Sequence, residues 1–183
     1  GKILDIFGQD PQVDIEFQGD PSPDHFIKDL RSIIPNPLFV KAVSRFENTH
    51  GLGSLKGRLK GSLKFNDDSD LSVSYKIAKA GFNDKQTGLP YRNIDGLLKI
   101  KHEKRLDKDG GYKAPWEIIY SGFKGQFGDG VISSLQGNII LDDNTPSIKS
   151  SARLSINAKS IPKLLSNRLG KKWFSNLQKV NFI

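Results

Sequence analysis

The segment from Ser54 to Phe65 constrains the fold more than any other part of this chain. Leu55, Gly57, Leu59, Gly61, Leu63 and Phe65 alternate there with Lys56, Arg58, Lys60, Ser62 and Lys64. Successive side chains of a strand leave on opposite sides of a sheet, so this spacing predicts a strand with one apolar and one basic face. Asn66-Asp67-Asp68-Ser69-Asp70 reads as a turn. Leu71, Val73, Tyr75 and Ile77 then resume the alternation, and the two segments predict a long hairpin.

The same period recurs along the chain. Val13, Ile15 and Phe17 alternate with Asp14, Glu16 and Gln18, and Ile94 to Ile100 reads as a further strand. A hairpin loop is expected over Leu106 to Lys113. Trp116, Ile118 and Tyr120 begin another strand, and Phe123, Gly125 and Phe127 lead into a Gly128-Asp129-Gly130 turn. Leu135, Gly137, Ile139 and Leu141 alternate up to a break at Asp142 to Pro146, and Ile148, Ala152, Leu154 and Ile156 make a final strand. That is roughly eight strands at the spacing of an all-β fold. Helical signals are confined to three places. Ser22-Pro23-Asp24 caps a stretch with Phe26, Ile27, Leu30, Ile33 and Ile34 at helical spacing, which stops before Pro35-Asn36-Pro37. Leu38 to Phe46 predicts a short second helix, and Ser160-Ile161-Pro162 starts a third that carries Leu164, Leu165 and Leu169. These helices are expected to cover the ends or edges of the sheet.

With 183 residues, 36% of them apolar and 26% charged, the chain fits one folded β-rich module spanning 1–183. No run approaches the length of a membrane-spanning helix. The chain opens on Gly1-Lys2-Ile3 and contains no Met, so it is expected to be a piece of a longer protein. It has no Cys, which excludes disulfides, thiol catalysis and Cys-ligated zinc. A net charge of +8 attracts polyanions such as nucleic acid or anionic lipid headgroups, although solvated lysine faces give the same surplus.

Catalytic constellations are thin. His25, His50 and His102 stand apart, and His102-Glu103 lacks the second His of a metalloprotease motif. Asp107-Lys108-Asp109-Gly110 begins like a calcium loop but lacks the later acidic ligand. Gly51 to Gly57 has neither the spacing nor the Gly-Lys-Ser/Thr ending of a phosphate loop. The chain is therefore read as a non-enzyme without cofactor or metal. Lys56, Arg58, Lys60 and Lys64 are the candidate anion contacts. Nucleic acid is disfavoured as the partner, because Phe65, Tyr75, Phe123 and Phe127 fall on the apolar faces of their strands, away from the lysines. A β-sandwich docking an anionic polymer through its basic face is the alternative reading.

The order of these elements resembles the repeating unit of AsmA-like envelope proteins, particularly the YhdP and TamB type. The resemblance rests on a first strand, a helix ending near Asn36-Pro37-Leu38, and the pair Gly57 to Phe65 and Leu71 to Ile77. It continues in the phrase Gly88-Leu89-Pro90-Tyr91-Arg92-Asn93-Ile94-Asp95-Gly96-Leu97-Leu98-Lys99-Ile100. Gly137 to Leu141, Ala152 to Ala158 and Ile161 to Leu165 are similar to the close of such a unit, and Leu169 to Phe174 to the opening of the next. The likeness covers about residues 10 to 180 and departs from the family in lacking its N-terminal membrane anchor. It implies an elongated, curved antiparallel sheet, a half-pipe or groove, with two or three short accessory helices. It also implies a periplasmic segment, its parent anchored in the inner membrane, that carries phospholipid between the two membranes of a Gram-negative cell. The partners implied are phospholipid, neighbouring repeat units and the membrane. On that reading Leu55, Leu59, Leu63, Phe65, Leu71, Val73, Tyr75, Ile77, Leu98 and Ile100 line the groove, although the same side chains would serve an ordinary closed core.

Overall fold

A computed structural model describes residues 2–4, 12–62, 69–106, 110–141 and 146–155 of the chain. The strands are β1 (Lys2–Leu4), β2 (Gln12–Gly19), β3 (Phe46–Ser62), β4 (Asp70–Asp84), β5 (Pro90–His102), β6 (Arg105–Leu106), β7 (Tyr112–Lys113), β8 (Trp116–Phe127), β9 (Gly130–Leu141) and β10 (Ser147–Ser155). The helices are α1 (Pro23–Ile33) and α2 (Pro37–Val43). Eight strands form one antiparallel sheet in the order β1-β2-β3-β4-β5-β8-β9-β10, while β6 and β7 make a small separate hairpin. The sheet is curved and does not close into a barrel. The mainly β fold with short helices expected from the alternation is therefore the fold observed. The third expected helix, from Ser160 onward, lies outside the described residues.

Local chemistry accounts for the helices. The Ser22 hydroxyl accepts from the His25 N–H, and Pro23 occupies the first turn, where its missing donor costs nothing. Asn36 does the same for α2, its Oδ1 accepting from the N–H groups of Leu38 and Phe39 at 3.0 and 3.1 Å. The apolar stripe of α1 determines where that helix goes. Phe26, Leu30 and Ile34 are buried in one cluster with Leu71, Val73, Tyr75, Ile100, Trp116, Ile118 and Leu141 of the sheet. So α1 lies on the apolar face, not at an end or edge, because only that face offers a stripe of this width an apolar partner. Phe26 stacks on Tyr75 at 3.7 Å between ring centroids, and the Tyr75 hydroxyl donates to Pro21 O at 2.9 Å.

A line of irregularities crosses the sheet. Asn48 in β3, Lys79 in β4 and Asn93 in β5 all have φ of 51–52°, a conformation that side-chain-bearing residues seldom adopt. Register shifts sit beside each of them, and further shifts follow between β8 and β9 and between β9 and β10. Bulges strengthen twist and bend a strand, so neighbouring bulges crease the sheet. Asp95 holds one of them, its Oδ1 accepting from the Lys79 N–H at 2.9 Å. The crease separates the cluster under α1 from a second one built on Ala80, Ile94, Phe127 and Ile132, and Ile77 packs against both.

Arg45 and Asp84 tie α2 to the sheet. The guanidinium makes two bonds to the carboxylate, whose side chain is 7% exposed. Burial pushes the Asp84 pKa up, but the Arg45 fork and the Gln86 N–H outweigh it and leave the carboxyl below its usual value.

Candidate functional site

The apolar face of the sheet is the candidate site, and its faces follow from register. Ile15, Leu59 and Leu71 pair in sequence across β2, β3 and β4, and His102 and Trp116 continue that row into β5 and β8. The row through Leu55, Tyr75, Leu98, Tyr120 and Gly137 runs parallel to it. The expected lining residues within the described chain therefore share one face. They differ in what covers them. Leu71, Val73, Tyr75 and Ile100 are buried in the cluster that α1 completes, and Leu55, Leu59, Ile77 and Leu98 are half-buried against it. Leu63 and Phe65 lie outside the described residues.

Beyond the crease the same face continues. Tyr91, Phe123, Leu135 and Leu154 are half-buried around the second cluster, and neither helix contributes to it among the described residues. Its surface is made of large side chains lying across glycines of the next strand. A Cβ at Gly96 would come within 2.5 Å of the Phe123 ring, and one at Gly130 within 2.7 Å of the Phe127 ring. Phe17 covers Gly57 in the same way on the α1 side of the crease. Each absent Cβ lets a ring lie flat, which thins the apolar layer and lets the strands curl toward it. Sequence reasoning left Phe123, Leu135 and Leu154 out of the lining. Their alternation was the signal that could have included them.

The opposite face carries the charge. Lys56 and Lys60 are exposed there, and Lys64 lies outside the described residues. Arg58 forms a two-pronged pair with Asp14 at 2.8 and 2.7 Å. The Arg58 hydrogen bond holds the Asp14 carboxyl below its usual range, and Asp14 in turn raises the guanidinium. Part of the expected anion-contacting row is thus neutralised by the neighbouring strand. Lys56 and Lys99 flank Ser74 in register, which places the two lysines two strands apart, about 10 Å.

Among the described residues no group of three or more His, Cys, Asp or Glu could hold a metal ion, and no helix is long and apolar enough to cross a membrane. A 380 Å³ cavity opens at the His102–Trp116 end of the sheet, between the α1–α2 link and the β6–β7 hairpin. Comparison with protein-family models, curated proteins and solved structures finds no match to this chain.

Proposed function

We propose that the apolar face of this sheet shields the acyl chains of a phospholipid, and that the chain is a carrier segment of a Gram-negative envelope protein acting in the periplasm between the two membranes. The observation that carries the reading is the half-buried apolar surface beyond the crease, lined by Tyr91, Phe123, Leu135 and Leu154 without a helix over it among the described residues. Each CH2 removed from water contributes roughly 0.8 kcal/mol, so an acyl chain of about sixteen carbons needs apolar cover worth on the order of 12 kcal/mol. A continuous face built from several strands supplies such cover and lets the chain slide, because no single pocket fixes it. The resemblance of the Gly88 to Ile100 phrase and its neighbours to AsmA-like units supports the same reading. It also supplies the context: further units of the parent chain and a membrane anchor beyond this segment. The residues under α1 contribute to the fold, and the acyl contact falls to the far side of the crease. No catalytic step is assigned.

The test is native mass spectrometry of the purified protein, with organic extraction of whatever dissociates. Phospholipid at near-stoichiometric amount supports the proposal. A lipid-free monomer that remains so after incubation with phospholipid vesicles rejects it.

A further inference from the structure

The face of the sheet turned away from α1 carries a feature that the acyl-chain reading leaves unused. Lys56, Ser74, Lys99, Ile119, Asn138 and Lys149 are successive register partners from β3 to β10 and form one row across the strands. Strand spacing puts Lys56 about 10 Å from Lys99 and Lys99 about 14 Å from Lys149, a line of about 24 Å. All three lysines are exposed, and among the described residues none of them is held in an ion pair. Two shallow depressions lie along the row. One, of about 640 Å³, runs beside Lys56 and Ser74, and the other, of about 470 Å³, beside Ile119, Asn138 and Lys149.

The neighbouring rows carry both signs. Glu16, Arg58, Ser72, Lys101 and Glu117 are register partners in the next one, and Lys60 stands between Asp14 and Asp70 in the one after. Arg58 is paired with Asp14, Lys101 with Glu103 and Glu117 with Arg105. The Asn138 amide also donates to Glu117, so the row offers chiefly its three lysines and the Ser74 hydroxyl. On the other side Lys76, between Ser54 and Leu97, widens the positive band. A positive line bordered by mixed charge matches a linear anion better than a planar one, since a membrane laid on this face would also meet Asp14, Glu16 and Asp70. Charge spacing then separates the linear candidates. A nucleic-acid strand presents a phosphate about every 3.4 Å, far denser than three lysines over about 24 Å, and the row has no ring for a base to stack on. A sugar chain whose charges are spaced by hydroxyl-bearing units meets both the separated lysines and the polar groups of the depressions.

We infer that this row is a docking line for an anionic polysaccharide, whose acidic groups meet Lys56, Lys99 and Lys149 while its hydroxyls lie in the depressions. The row is on the face opposite the acyl-chain surface, so neither ligand requires the other.

The test is an NMR titration of the isotopically labelled protein with a hyaluronan decasaccharide, which carries a carboxylate on every second sugar. The backbone amides of Ser74, Lys99 and Asn138 are the reporters, at constant ionic strength. A neutral dextran oligosaccharide, a single-stranded oligothymidylate and phosphatidylglycerol vesicles are run alongside. The expected result is a saturable response to the decasaccharide, absent with dextran and weakened about tenfold or more in K56A/K99A/K149A. K28A/K41A/K85A removes the same charge at exposed positions on α1, on α2 and after β4, and should weaken binding less than about twofold. No saturation, equal weakening in the two variants, or tighter binding of the oligothymidylate or the vesicles at these amides overturns the inference. Phospholipid copurification without decasaccharide binding would reject this inference and leave the acyl-chain reading standing, and the reverse pattern would do the opposite.

Discussion

Replacing Phe26 by Ala tests the seating of α1 on the sheet. The ring is 3% exposed and stacks on Tyr75 at 3.7 Å with planes 20° apart. Loss of a buried Phe costs about 3–5 kcal/mol, depending on how far the surroundings collapse into the space. Here collapse is limited, because Leu30 and Ile34 keep α1 at its height and the Ser22 cap fixes its start. The expected destabilisation is therefore about 4 kcal/mol, equivalent to roughly 8–16 °C in Tm for a domain of this size. Urea unfolding of F26A beside H25A, an exposed change on the same helix, measures it; H25A should stay within about 0.5 kcal/mol of the parent. A loss below about 1 kcal/mol in F26A would mean that α1 does not pack on the sheet. The assignment of Leu71, Val73 and Ile100 to a covered core would then fall with it.

Three further predictions concern the crease and the buried titratable groups. Gly96→Val places a side chain where the Phe123 ring lies, so it should destabilise by about 1–3 kcal/mol, and pairing it with F123A should recover part of that loss in a double-mutant cycle. Asp84 has a folded-state pKa below its unfolded value, so its contribution is complete above the unfolded pKa and is lost as pH falls through the folded one. D84N should accordingly be less stable than the parent at neutral pH and show a flatter stability profile below about pH 4, read by urea midpoints. Burial pushes the Tyr75 phenol up to about 12, so the folded chain keeps that proton after the unfolded chain, with a phenol pKa of about 10, has released it. Stability should be insensitive to Tyr75 below pH about 10 and fall as pH rises from there toward 12, with the steepness reduced in Y75F.

The alternation of Leu and Gly with Lys in residues 54–62 made a strand and its two faces legible from sequence, because burial on one side of a pleat leaves a period of two. The Ser22-Pro23 pair marked the start of α1 for an equally local reason, whereas Asn36-Pro37 was legible only as the stop of that helix, and its capping of α2 came from the structure. What stayed hidden depends on register. Gly57 and Phe17 are forty residues apart in sequence, and nothing near either says that the ring lies on the glycine. The bulges were invisible for a different reason. Lys79 carries no compositional mark of positive φ, and the Asp95 carboxylate that satisfies its N–H sits on the next strand. The stripe of Phe26, Leu30 and Ile34 announced an amphipathic helix without naming its partner, which is why α1 was expected at the rim. The basic row was legible in part: Arg58 was visible as a charge, but its Asp14 partner only through the β2–β3 pairing.

The most direct test of the acyl-chain proposal is photo-crosslinking with a phospholipid bearing a photoactivatable group midway along one acyl chain, followed by peptide mapping. The account predicts label on the strands that carry Phe123, Leu135 and Leu154, competed away by unlabelled phospholipid. Label confined to the lysine-bearing face around Lys56 and Lys99, or no competed label at all, would contradict it.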